Sequence, residues 1–197
     1  MSVLLSEPKK WKLIKYLAEG QFSTVLLVSR VSKYSGWQEK YALKILKSRN
    51  LEQEAHLEFE SLFKVRSKNC VRVYSWERFQ SKPGILMEYI EGPNLRQFFE
   101  YFRSELELEE KYYLINQILS GLKDLWNMNL VHGDLSPNNV IVSKDGEAKL
   151  IDYGLANTHE TFKKMTPGFV APEVIGANSY SKKSDLFSLG AIANFLE

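Results

Sequence analysis

The sequence predicts an α+β fold: a small antiparallel β-sheet lobe carrying one helix, then a larger, mainly helical lobe. Three observations predict it. Short runs of β-branched and aromatic residues, punctuated by glycine turns, fill much of residues 11–89. One window, Leu51 to Val65, switches to helical spacing. Beyond the turn cluster Glu91-Gly92-Pro93-Asn94 the spacing is helical almost throughout. The two lobes are therefore expected at residues 1–91 and 92–197, within one domain spanning 1–197.

The first strand is expected over Trp11 to Leu17, with a turn at Glu19-Gly20 and a returning strand over Thr24 to Arg30. These two read as a hairpin. A second turn at Tyr34-Ser35-Gly36 leads to a strand over Tyr41 to Leu46. In the helical window Leu51, Ala55, Phe59, Leu62 and Val65 share one face, with Glu and Lys on the others. Strands follow over Val71 to Phe79 and Ile85 to Tyr89. After the boundary, Leu95 to Tyr101 reads as a short helix and Glu109 to Asn129 as a long one. The long helix has an apolar stripe of Ile115, Ile118, Leu119, Leu122, Leu125 and Trp126. Glu109 and Glu110 sit in its first turn, where the helix dipole favours a negative charge. Two lobes imply a cleft, a usual place for a ligand.

Composition narrows the function. Of 197 residues, 44% are hydrophobic and 25% charged, the balance of an ordinary globular protein. The net charge of +2 gives no reason to expect nucleic acid as a partner. The single cysteine, Cys70, allows no internal disulfide and sits in an apolar stretch, where a buried, unreactive thiol is expected. Val3 to Leu5 is too short for the core of an export signal, and no run is long enough for a membrane helix, so no membrane partner is expected and the location is expected to be cytoplasmic. His56 and His159 have no Cys or His partner at metal-ligand spacing, so no zinc site is expected.

The segment with the most chemistry is Val131-His132-Gly133-Asp134-Leu135-Ser136-Pro137-Asn138-Asn139-Val140-Ile141-Val142. A loop held between rigid elements here offers one carboxylate, Asp134, and one amide oxygen, Asn139. A carboxylate can orient a hydroxyl and accept its proton. An amide oxygen is a hard ligand suited to magnesium. Farther along, Ile151-Asp152-Tyr153-Gly154 supplies another oxygen ligand, Asp152, at a strand end. Two such ligands together with nucleotide phosphates can fill a magnesium shell.

These segments resemble the catalytic loop H-R-D-L-x-x-x-N and the metal-binding D-F-G of eukaryotic-type protein kinases. Met165-Thr166-Pro167-Gly168-Phe169-Val170-Ala171-Pro172-Glu173 resembles the substrate-facing loop ending in A-P-E. Ser184-Asp185-Leu186-Phe187-Ser188-Leu189-Gly190 resembles the start of the buried helix beyond it. The resemblance runs from about Trp11 to Glu197 and implies a protein kinase-like bilobal fold whose helical lobe is incomplete, the family's lobe continuing for several helices past this point. It implies ATP and Mg2+ as cofactors, with Asn139 and Asp152 as metal ligands and Asp134 as the base or positioner of the acceptor hydroxyl.

Earlier motifs acquire roles through the same resemblance. Ala18-Glu19-Gly20-Gln21-Phe22-Ser23-Thr24-Val25 stands where the family has G-x-G-x-x-G-x-V, keeping the middle glycine, so Ala18, Gly20, Ser23 and Val25 are implied to cover the phosphates. Tyr41-Ala42-Leu43-Lys44 is similar to V-A-I-K, which implies that Lys44 holds the α- and β-phosphates. Glu54, Glu58 and Glu60 compete as its partner; Glu58 is chosen for its spacing to Leu62, Val65 and Val73, with Glu60 in reserve. Leu86-Met87-Glu88-Tyr89-Ile90 resembles the strand and hinge. It implies Met87 behind the adenine, the Glu88 carbonyl and Ile90 N–H bonded to its edge, and Val25, Ala42 and Ile141 on its faces.

The sequence departs from the pattern in two places of consequence. Gly133 replaces the H-R-D arginine, and Ser136 replaces the lysine typical of Ser/Thr kinases two residues after the aspartate. The H-G-D form is also similar to phosphotransferases of the aminoglycoside and choline type, while Thr166 and Ala171-Pro172-Glu173 belong to protein kinases. The implied function is transfer of the ATP γ-phosphoryl group to Ser or Thr of a protein substrate. A catalytically silent kinase-like binding module and a small-molecule kinase are the rivals.

Overall fold

The computed structural model describes residues 11–20, 23–31, 36–48, 52–153, 166–177 and 179–197, with the side chains of Glu54 and Glu58 left aside. The chain divides into two compact units, one of Met1–Glu52 with Tyr74–Tyr89, the other of Gln53–Val73 with Ile90–Glu197.

The first unit is built on an antiparallel sheet in the order β1-β2-β3-β5-β4, from β1 (Lys12–Glu19), β2 (Ser23–Val31), β3 (Gln38–Leu46), β4 (Val73–Phe79) and β5 (Lys82–Glu88). Alternation sorts its side chains, because residues directly opposite one another in an antiparallel pair share a face. Leu26 pairs with Leu43, and Leu43 with Leu86. These three form a buried cluster with Trp11, Val28 and Ile45. The Trp11 ring meets Tyr41 edge-on at 5.4 Å, and the Arg30 guanidinium lies 5.3 Å from the centre of each ring. On the opposite face Val25 pairs with Lys44, Leu27 with Ala42, and Ala42 with Met87.

The helix α1 (Glu52–Leu62) follows the expected face, with Ala55 and Leu62 buried, but ends three residues short of Val65. There the chain tightens into a turn, the Val65 N–H bonding Leu62 O at 3.1 Å.

In the second unit α2 (Leu95–Phe102) and α3 (Leu108–Asn127) precede a two-stranded sheet of β6 (Val140–Val142) and β7 (Ala148–Leu150). The short α4 (Pro172–Ala177) and then α5 (Lys182–Phe195) follow. Asn94 and Gln97 form a capping box that starts α2, and Glu107 and Glu110 do the same for α3. Ile118, Leu122 and Leu125 of the expected stripe are buried, but so are Leu114, Gly121 and Gln117. Gly121 lies so close to β7 that a side chain there would meet Leu150 Cδ1 and Asn69 O, each at 2.9 Å. Gln117 is inside because its Oε1 accepts from Ala148 N at 2.9 Å and Asn69 Nδ2 at 3.2 Å.

The strand expected from Val71 begins at Val73 instead. The physical cause is competition for backbone hydrogen bonds. Val71 N–H donates to Leu150 O at 2.8 Å and Leu150 N–H to Asn69 O at 2.8 Å, so residues 69–71 join β7. Cys70 is buried there, and burial pushes its thiol up to about 12, which fits an inert thiol. No described helix is long and apolar enough to cross a membrane.

Candidate active site

The loop Val131–Asn139 leaves α3 through Asn129, whose φ of +56° reverses the chain, and enters β6 through a short 3-10 turn, Pro137–Asn139. Its polar backbone is held by one buried carboxylate from α5. Asp185 Oδ2 accepts from His132 N at 2.9 Å and from Trp126 Nε1 at 2.9 Å, and its Oδ1 accepts from Gly133 N at 3.1 Å. Asp185 is 2% exposed. Gly133 has a φ of +84°, the left-handed region where a side chain is disfavoured, so the residue standing where the family has arginine also suits this bend.

Downstream, the Asp134 carboxylate is held on both oxygens. Thr166 Oγ1 donates to Oδ1 at 2.8 Å and Asn139 Nδ2 to Oδ2 at 3.1 Å. The same Asn139 amide also donates to Asp134 O at 2.8 Å. Because its nitrogen is committed to Asp134, the Asn139 side chain turns its oxygen away from that bond. Asn139 O accepts from Ile151 N at 3.0 Å, which ties this turn to the segment carrying Asp152. Asp152 itself has a φ of +53°, an uncommon conformation for a residue with a side chain and one that Asp tolerates better than most. Next to it, Tyr153 is buried at 1% exposure, and its hydroxyl donates to Val71 O at 2.6 Å. That supplies the partner a buried phenol needs.

Electrostatics concentrate on His132, which is wholly buried and meets the Tyr153 ring edge-on at 6.4 Å. Burial holds its pKa below the usual 6.5, against the opposing pull of the Asp185, Asp134 and Asp152 charges. Its Nδ1 accepts from Asp134 N at 3.4 Å, and its Nε2 has no hydrogen-bond partner among the described residues. Burial raises the Tyr180 phenol, with the Asp134 charge adding to it.

The expected residues fall in both units. In the second, Asp134 and Asn139 are in direct contact, Asp152 follows the strand bonded to Asn139, Ile141 is half-buried on β6, and Ile90 is buried. In the first unit Val25, Ala42, Lys44 and Met87 share one face of the sheet. Ala18 pairs with Val25, and Gly20 N–H donates to Ser23 O at 2.8 Å. Glu88 ends β5, paired with Tyr41. Gln21 and Phe22 of the hairpin tip, Gly154 to Met165 and the Glu54 and Glu58 side chains lie outside what is described, so the Lys44–Glu58 pairing stays an expectation. Glu60, the reserve, is 3.7 Å from His56 Nδ1. Ser136, where the family's lysine would stand, is wholly buried with no partner for its Oγ among the described residues.

Sequence reasoning missed the Asp185 clamp and the Thr166–Asp134 bond. Asp185 was named only as part of the segment resembling a buried helix, which carried no sign that its carboxylate reaches residues 132 and 133. An amide oxygen and a carboxylate fit a hard divalent cation, which takes oxygen ligands and retains phosphate and water in its shell. No cluster of three or more His, Cys, Asp or Glu suited to a metal occurs among the described residues.

Over 199 residues the chain is 26% identical to ribosomal protein S6 kinase alpha-3 of Homo sapiens, covering 95% of this chain and 26% of that one. It is 29% identical over 201 residues to the SNF1-related protein kinase catalytic subunit alpha KIN12 of Arabidopsis thaliana, covering 96% of this chain and 39% of that one. A Caenorhabditis elegans protein named as a tyrosine-protein kinase is 41% identical over 91 residues, 43% of this chain and 28% of that protein. The chain thus spans well under half the length of these relatives. A family model described as the protein kinase domain matches residues 11–196, and on that match the chain belongs to the protein kinase domain family, with the kinase-like α+β fold its sequence predicts.

Proposed function

We propose that this chain transfers the γ-phosphoryl group of ATP to a serine or threonine hydroxyl of a protein substrate. A protein kinase domain implies ATP and a divalent metal; the finer reading is that the metal is Mg2+, held by Asn139 and Asp152. When bound, that cation would neutralise charge on the phosphates. The chain's own residues do the positioning on which phosphoryl transfer chiefly depends. Asp134 orients the acceptor hydroxyl and takes its proton as the oxygen bonds to the γ-phosphorus and the bond to the β-phosphate oxygen breaks. Lys44 positions the phosphates with Glu58 behind it, and Ala18, Gly20, Ser23 and Val25 cover them. The Glu88 carbonyl and Ile90 N–H bind the adenine edge, with Val25, Ala42, Met87 and Ile141 against the ring. The lobes are assigned to 1–91 and 92–197, and the location to the cytoplasm.

The observation that carries the reading is the Asp134 carboxylate held by Asn139 and by Thr166. Thr166 belongs to the protein-kinase motif rather than to small-molecule kinases, so its bond favours a protein acceptor. The likeness to a ribosomal protein S6 kinase and a SNF1-related kinase supports Ser/Thr, as does Leu155-Ala156 after the D-Y-G.

Two substitutions test the division of roles. Asp134→Asn should lower turnover by about 10²–10⁴-fold, the usual worth of general acid–base catalysis, while sparing nucleotide binding. Asp152→Ala should abolish magnesium-dependent nucleotide binding as well as turnover. Equal loss of ATP binding in both would refute the assignment. Tight ATP binding by the unaltered chain, without transfer to any peptide, would make it a binding module instead.

A further inference from the structure

Asp152 holds a backbone conformation uncommon for a residue with a side chain. Its φ of +53° lies in the left-handed region, where such a residue persists only if its surroundings over-determine it. Both neighbours of Asp152 are bonded. On one side Ile151 N–H donates to Asn139 O at 3.0 Å. On the other the Tyr153 hydroxyl donates to Val71 O at 2.6 Å. Val71 is fixed in its turn. Its N–H donates to Leu150 O, and Leu150 N–H donates to Asn69 O, each at 2.8 Å. Three bonds therefore tie residues 69–71 to residues 150–153, and the hydroxyl supplies the last of them. The phenol is buried, with the His132 ring edge-on to it at 6.4 Å.

The family pattern D-F-G has phenylalanine where this chain has Tyr153, and phenylalanine has no donor. The bond to Val71 is therefore this chain's own addition, since a bare ring would fill the same space. We propose that the Tyr153 hydroxyl is a positioning group, holding Asp152 in its metal-binding geometry before metal and nucleotide arrive. This deepens the phosphotransfer reading and rests on it. In this role the phenol acts through the backbone and touches neither cation nor phosphate. A ligand already ordered in the free chain raises the fraction of molecules competent to bind. Affinity for the metal–nucleotide pair then rises without a new contact to it.

The test measures binding of ADP to the full chain by calorimetry, with and without magnesium. In the unaltered chain magnesium should tighten binding. Tyr153→Phe keeps the ring and removes the hydroxyl. It should weaken magnesium–ADP binding about 5-fold, the scale of one hydrogen bond, and leave metal-free ADP binding unchanged. In an Asp152→Ala background the same change should have no further effect, because the carboxylate through which it acts is gone. A phenol that merely filled the core would alter the two affinities together or alter neither, and either result overturns the proposal. So does a loss that persists in full beside Asp152→Ala. If magnesium does not tighten ADP binding in the unaltered chain, the metal reading is what fails. Hydrogen exchange then reads the hydroxyl by itself. In the ligand-free chain Tyr153→Phe should speed exchange of the Ile151 amide, bonded to Asn139 on the far side of Asp152, about 5-fold relative to the Val142 amide, bonded to Pro93 O. An Ile151 amide that is unchanged, or that speeds up only as much as Val142, overturns the proposal independently.

Discussion

The sheet of the first unit and the loop Val131–Asn139 of the second are held by opposite means. In the sheet, Leu26, Leu43 and Leu86 stack across neighbouring strands, and the ladders of β2 with β3 and β3 with β5 pair the backbone. The loop has no ladder. Its backbone donors converge on Asp185, its Asp134 carboxylate is held by Asn139 and Thr166, and the Tyr153 hydroxyl anchors the segment after it. Apolar burial is non-directional, so the sheet tolerates small shifts. Hydrogen bonds are directional, so the loop is fixed in one geometry and fails abruptly when one partner goes.

The largest break in that comparison should come from Asp185→Ala. It strands one buried and two part-buried donors at once, at a cost of roughly 3–5 kcal/mol. For a chain of this size that lowers Tm by roughly 10 °C. Hydrogen exchange should accelerate around residues 131–134 and leave β2 and β3 protected. Uniform acceleration would show that the two regions are not held separately.

Leu43→Ala is the reciprocal change. It opens a cavity in the sheet cluster and should cost about 2–5 kcal/mol. Exchange should rise through β2, β3 and β5, with the loop still protected and residual turnover retained in the folded fraction.

Acid should act on the loop through His132, and more gently. Burial lowers its folded pKa below the unfolded 6.5. Between those two values the unfolded chain binds the extra proton, so stability rises with pH there. The contribution is complete above about 6.5 and is lost as pH falls toward the folded value. Thermal melts from pH 8 to pH 5 should fall less steeply for His132→Asn than for the unaltered chain; parallel slopes would remove His132 as the cause.

The smallest effect expected is that of Tyr153→Phe. It deletes one hydrogen bond to Val71 O while keeping the ring, for about 1 kcal/mol. A drop of about 2–4 °C in Tm would match this. No change at all would mean that Val71 O finds another donor.

Period and motif order were legible without the fold. The strand-forming runs at residues 24–30 and 41–46 are both strands, whereas the faces their side chains take came only with the pairing of the sheet. The helical period of 109–129 named Ile118, Leu122 and Leu125 as core, and each is buried. These features depend on neighbours two to four residues away, so a local reading reaches them. Gln117 was not legible as buried, because its partners, Asn69 and Ala148, lie 48 and 31 positions away. Nor was the start of β4, since residues 69–71 are drawn off by Leu150. Asp185 likewise meets His132 across 53 positions.

By itself, then, the sequence determined the fold class, the order of the elements, and which loop carries Asp134 and Asn139. Only the tertiary structure decided what holds that loop: a carboxylate from α5, a threonine from the loop before α4 and an arginine from α2 that reaches Asn138. The physical reason is that local periodicity acts along the chain, whereas a buried polar group takes whichever partner folding brings within hydrogen-bond reach, at any separation in sequence.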